Sequence, residues 1–183
     1  MSDVSSRPSS PKTKLRGKSY MRREKNGTVY SIVHAAVIAA CYAAITMICV
    51  PVSYGPVQFR ISEAFCILPY FTPAAVPGVS VGCFLANLLC GAAPLDVVFG
   101  SLATLIGAVG SYALRKQKWL VCVPPIVSNT VIIPWVLRYA YGSADMIPFA
   151  MVTVGIGEIL AIGVVGNLLL ISPRRCRACP EAR

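Results

Sequence analysis

Charge is what this sequence has least of. Only 13% of its 183 residues are charged, against a hydrophobic fraction of 56%. A soluble domain needs roughly 25% charged residues to cover its surface. The deficit excludes an ordinary water-facing exterior and points to the bilayer as solvent, because lipid demands no polar outer face. Acidic residues are scarcer still. Between Ser31 and Pro173 only Glu63, Asp96, Asp145 and Glu158 occur. There is one histidine, His34, so a histidine metal cluster is excluded. Arg16-Gly-Lys-Ser19 resembles the end of a phosphate loop, but Lys12 stands where the first glycine of that motif belongs, so no ATP site is expected.

What is present is basic, and it is unevenly placed. The formal net charge is +10, which by itself would suit nucleic acid. Eight of the 17 basic residues, however, lie in Met1 to Lys25, and Arg174, Arg175, Arg177 and Arg183 lie at the other end. Two basic tails flanking an apolar body describe a membrane protein with cytoplasmic termini, since basic flanks stay on that side. Both ends on one side require an even number of crossings. Arg115, Lys116 and Lys118 mark a further cytoplasmic loop, while Gln58 and Ser143 are expected to face outward.

The apolar body is read as an all-α bundle of about six transmembrane helices. The first runs from about Tyr30 to Val50 and is an uncleaved helix rather than a signal peptide. A short pair lies between Ile61 and Ala93, turning near Pro73 to Gly78. The others run from about Leu95 to Leu114, Trp119 to Tyr139 and Ile147 to Ser172. At ~20 residues per span the fit is tight, so a re-entrant hairpin over residues 61–93 is the alternative. Residues 1–29, rich in Ser, Pro and Lys, cannot bury a core and are expected to be a disordered cytoplasmic tail. Residues 30–173 form the transmembrane substrate-binding domain, and 174–183 a second basic tail. Six of the eight cysteines sit in apolar segments as small hydrophobes. Cys176 and Cys179 form a lone C-x-x-C that lacks the four ligands of a structural zinc site, and no metal site is expected.

Several patterns carry chemistry. Ala35, Ala39 and Ala43 form one row along the first helix, and Ala36, Ala40 and Ala44 form a second beside it. Such a smooth strip serves either packing within the chain or close approach of a partner helix. Arg60 and Glu63 are three apart, a spacing that suits an ion pair across one helical turn. Tyr54 and Phe59 precede them and suit a cover over a ligand, while Gln58, Arg60 and Glu63 are alternatively ligand contacts. Asp96 is placed to cap the helix that follows it. That helix carries a small, polar face of Gly100, Ser101, Thr104, Gly107, Ala108 and Ser111.

Glu158 stands out because it lies ~15 Å into the last span at 1.5 Å per residue. An acid at that depth costs ~2.5–3.5 kcal/mol on insertion scales and is a functional residue by default, with an ion pair to Arg138 as the plainer role. Asn129 falls at similar depth on the preceding span. Pro124, Pro125 and Pro134 around it are expected to disturb that helix and free carbonyls beside a cavity. A carboxylate and an amide at one level, with Trp135 nearby, suit a flat, hydrogen-bonding ligand.

Val57-Gln-Phe-Arg-Ile-Ser-Glu-Ala64, Leu68-Pro-Tyr-Phe-Thr-Pro73, Asp96-Val-Val-Phe-Gly-Ser-Leu-Ala-Thr-Leu105 and Gly155-Ile-Gly-Glu158, with the alanine strip, resemble the QueT family. The resemblance covers about Val33 to Leu170. It implies a substrate-specific subunit, or S component, of an energy-coupling factor (ECF) transporter for queuosine precursors. Such a protein binds its ligand from the extracellular side, is not an enzyme, and needs no cofactor of its own. It docks through the first helix, here through Ala35, Ala36, Ala39, Ala40, Ala43 and Ala44, on a transmembrane coupling subunit driven by two cytosolic ATPases. A deazaguanine edge presents two adjacent donors, which Glu158 could accept together. Asn129 would then meet the carbonyl or a ring nitrogen, with Tyr54, Phe59 or Trp135 as aromatic cover. For an aminomethyl precursor, Glu63 or Asp96 would supply a second anion. Two alternatives are an S component for another vitamin or base, and a small intramembrane enzyme using Asp96 and Glu158 as acid and base. The family pattern says nothing of the long basic tail or of Cys176 and Cys179.

Overall fold

The computed structural model describes residues 11–53, 60–142 and 146–168. Tyr54, Gln58, Phe59, Ser143, Cys176 and Cys179 lie outside the described residues. Among those described, the elements are six helices without strands, as the composition predicts. The first, α1, runs from Pro11 to Ser53, starting well ahead of the predicted span. A 3-10 helix follows at Ile61–Tyr70, then α2 at Ala75–Leu89, α3 at Pro94–Ala113 and α4 at Val123–Tyr141. The last, α5, is regular over Ile147–Glu158 and continues as a π-helix over Ile159–Gly166. The residues up to Val33 and those from His34 onward form separate compact units, and the site described below belongs entirely to the second.

Among the described residues, three stretches are long and apolar enough to cross a bilayer: Thr28–Cys49, Pro94–Ala113 and Ile147–Gly166. The pair read from the sequence as short is short. The 3-10 helix has 10 residues and α2 has 15, which is ~20 Å at 2.0 Å per residue and ~22 Å at 1.5 Å per residue. Each falls below the ~30 Å of a hydrocarbon core. The turn between them lies earlier than expected, with Pro77 and Gly78 already inside α2. Large apolar residues face outward on every long helix, including Val37, Val98, Val131 and Val152, each about half exposed.

Small residues set how closely these helices approach. Gly78 and Gly82 of α2 repeat the four-residue spacing of Ala35 and Ala39 on α1 and face them. A Cβ on Gly82 would come within 2.8 Å of the Tyr42 Cβ and 3.0 Å of the Ala39 Cα. This is small-xxx-small packing inside one chain. It divides the alanine strip: Ala39 and Ala43 are buried against α2, and Ala35 is half-buried, whereas Ala36, Ala40 and Ala44 are exposed. The first row therefore packs internally and is withdrawn as a partner surface. The second row stays open. Similarly, the small face of α3 is buried, and Gly107 lets Pro125 of α4 lie where a Cβ would come within 2.7 Å of its Cα. That face makes close helix contacts.

The prolines act differently from the expectation. Because α4 starts at Val123, Pro124 and Pro125 occupy its first turn, where a missing N–H costs nothing. Pro134 alone is interior, and its missing N–H leaves the carbonyl of Thr130, beside Asn129, without that donor.

Candidate functional site

Four elements bring polar side chains into the middle of the bundle. Asn129 is the seventh residue of α4, and Glu158 is the last regular residue of α5 before the π-helix. Both are buried, and the Asn129 Nδ2 donates to Glu158 Oε1 at 3.0 Å. The sequence placed these two residues at one level, and they are in direct contact. The alternative partner is not engaged, since Glu158 makes no ion pair with Arg138, which is exposed. Glu158 Oε2 and Asn129 Oδ1 have no protein partner. Two buried acceptors side by side without donors are costly to leave so, at roughly 1–3 kcal/mol per group, unless something donates to them.

These two residues line a cavity together with Arg60, Glu63, Ile133 and Val154. Its volume is about 10 Å³, room for about one water. Glu63 is buried and already has both oxygens engaged: Tyr42 of α1 donates its hydroxyl to Oε1 at 2.7 Å, and the Cys66 thiol donates to Oε2 at 3.2 Å. Glu63 therefore has both oxygens engaged in the cavity wall, while Glu158 retains a free acceptor.

Arg60 does not pair with Glu63. Its guanidinium Nη2 reaches Asp96 Oδ2 at 3.4 Å instead. The reason is geometric, because Arg60 is the extended residue that precedes the 3-10 helix, not part of its first turn. Nor does Asp96 cap α3, since no side-chain cap bond forms there. Its Oδ2 accepts from Arg60 and, at 3.0 Å, from the Tyr141 hydroxyl at the end of α4, while Asp96 Oδ1 is buried without a partner. Trp135 is not in this cavity. It stacks on Tyr139 with centroids 6.2 Å apart, in an apolar groove of about 520 Å³ that Leu95, Phe99 and Val131 also line. On α4, Trp135 lies six positions beyond Asn129, on another face of the helix.

Sequence reasoning missed Tyr42, Cys66, Ile133, Val154 and Tyr141. Tyr42 could have been found as the one polar aromatic residue inside an alanine-rich stretch, on the side of the row that packs. Nothing in the local pattern marks Ile133 or Val154, which are apolar residues in apolar helices.

Glu158 and Asn129 thus form an acid–amide pair at a small buried polar cavity within an all-α membrane protein. Residues 32–174 match the QueT transporter family, and the chain belongs to that family. It is 37% identical over 84 residues to the Queuosine precursor transporter QueT of Lactococcus lactis subsp. cremoris strain MG1363. That stretch is 45% of this chain and about half (49%) of the relative's length. No solved structure matches the chain.

Proposed function

We propose that this chain is the substrate-specific subunit of an ECF-type uptake transporter, and that it binds a queuosine precursor through the deazaguanine ring. The reading rests on the buried pair of Glu158 and Asn129, with one free acceptor each in a shared cavity. Glu158 Oε2 and Asn129 Oδ1 suit the adjacent N–H donors of a guanine-like edge, and Ile133 and Val154 provide apolar walls for a flat ring. The cavity lining carries two carboxyl groups, Glu63 and Glu158, and one guanidinium, Arg60. The ammonium of an aminomethyl deazaguanine would add a charge-assisted hydrogen bond to Glu158 that a neutral base cannot make. The family and the name of the relative support this ligand class.

The enzyme alternative needs Asp96 and Glu158 in one cavity, but Asp96 is held by Arg60 and Tyr141 outside the lining. Calorimetry of the purified protein with the aminomethyl deazaguanine should show one-to-one binding, and the ligand should be recovered unchanged. No heat with this ligand, or recovery of a chemically altered one, would reject the proposal.

The subunit would be multi-pass with both termini cytoplasmic, as the basic residues near the ends of the apolar body require. Single cysteines introduced at Met146 and Gln117, in a background without native thiols, test this in intact cells. The cysteine at 146 should react with a membrane-impermeant reagent and that at 117 should not; the reverse labelling would invert the topology.

A further inference from the structure

The cavity is too small for any ligand of the proposed kind. Binding sites for small organic molecules run to ~300–1,000 Å³, while this one holds about 10 Å³. A wall must therefore move, and the side chains around the cavity differ in how they are held. Glu158 and Asn129 bind each other across two helices, and Glu63 is held at both oxygens. Arg60, by contrast, has one side-chain contact, a long one at 3.4 Å to Asp96.

The surroundings of that contact make it a fastening between element ends. Arg60 precedes the 3-10 helix, Asp96 lies in the first turn of α3, and Tyr141 is the last residue of α4. Tyr141 donates to Asp96 Oδ2, and its oxygen accepts the backbone N–H of Ala93 at 3.1 Å. The Asn87 amide further fixes Asp96 by donating to its carbonyl at 3.3 Å. One end of the fastening is thus anchored to three helices, and the other is a single side chain that lies outside any helix. Asp96 itself does not line the cavity.

We infer that Arg60 is the movable wall through which ligand enters and leaves, and that Asp96, oriented by Tyr141, is the positioning residue that latches it shut. This rests on the reading of the cavity as a ligand site. The latch holds the cavity at a volume that no such ligand fits, so it opposes entry and lowers affinity.

Stopped-flow binding of the neutral nitrile deazaguanine, chosen so that loss of a charge at Asp96 does not alter attraction for the probe, tests this on the full chain. For Asp96→Asn, association should quicken by about three- to ten-fold, the worth of one weakened charge-assisted hydrogen bond, and Kd should fall by the same factor. Tyr141→Phe should move both the same way by a smaller factor, and it supplies the test if Asp96→Asn does not fold. A weaker Kd with unchanged association would make Asp96 a ligand contact and overturn the latch. Unchanged rates in both variants would also overturn it. If the wild-type chain binds neither the nitrile nor the aminomethyl deazaguanine, the ligand assignment falls and the latch falls with it.

Discussion

Glu158→Gln should bind the aminomethyl deazaguanine about ten- to several-hundred-fold more weakly than the wild type, at nearly unchanged protein yield. The substitution keeps the shape of the side chain and removes its charge. Asn129 Nδ2 can still donate to the remaining carbonyl oxygen, so the contact between α4 and α5 survives. What is lost is Oε2, the acceptor with no protein partner, which becomes an amide donor facing another donor. A lost charge-assisted hydrogen bond costs ~1.5–3 kcal/mol, and an unpaired donor adds to that. Insertion should not suffer, because an acid in a span is itself a cost. Adenine-like bases, which lack the paired donors, should fail to compete in the wild type. Calorimetry measures both effects. Equal affinity in wild type and Glu158→Gln would remove Glu158 from the ligand edge.

A second large effect is expected on α1, and the two alanine rows should separate it cleanly. Ala40→Trp puts a bulky ring on the exposed row and should abolish co-purification with the transmembrane coupling subunit while leaving ligand affinity intact. Ala39→Trp, one residue away, faces Gly82 and should instead fail to accumulate as folded protein. Overpacking a tight contact costs ~1–3 kcal/mol even for a few added methylenes, and an indole adds far more. Pull-down by a tagged coupling subunit, together with size-exclusion profiles of each variant, separates the outcomes. Undiminished capture of Ala40→Trp would show that the exposed row is a lipid face and not a docking surface.

How much of this was legible in advance depends on the range over which each feature is encoded. The helical bundle could be read because apolar runs and basic flanks are local statements about the solvent of each segment. That Glu158 and Asn129 lie at one level could be read too, since rise per residue fixes relative position once the span ends are placed. Their contact follows from two helices lying side by side. Partners set by tertiary position were not legible. Arg60 has Glu63 three residues away in sequence, yet it contacts Asp96, which is 36 residues away. Spacing says which side chains can meet on one helix, and Arg60 lies outside the helix for which the spacing was counted. The alanine rows show the same limit. Their sequences are equivalent, and only Gly78 and Gly82 on another helix decide which is covered.

The opposite sides of α1 have a further consequence. One side carries the open alanine row; the other delivers the Tyr42 hydroxyl to Glu63, in the wall of the cavity. A helix with its side chains is ~10–12 Å across. A protein docked on the open row and a molecule held in the cavity would therefore be separated by the thickness of one helix and a single hydrogen bond. Neither could shift α1 without the other registering the displacement.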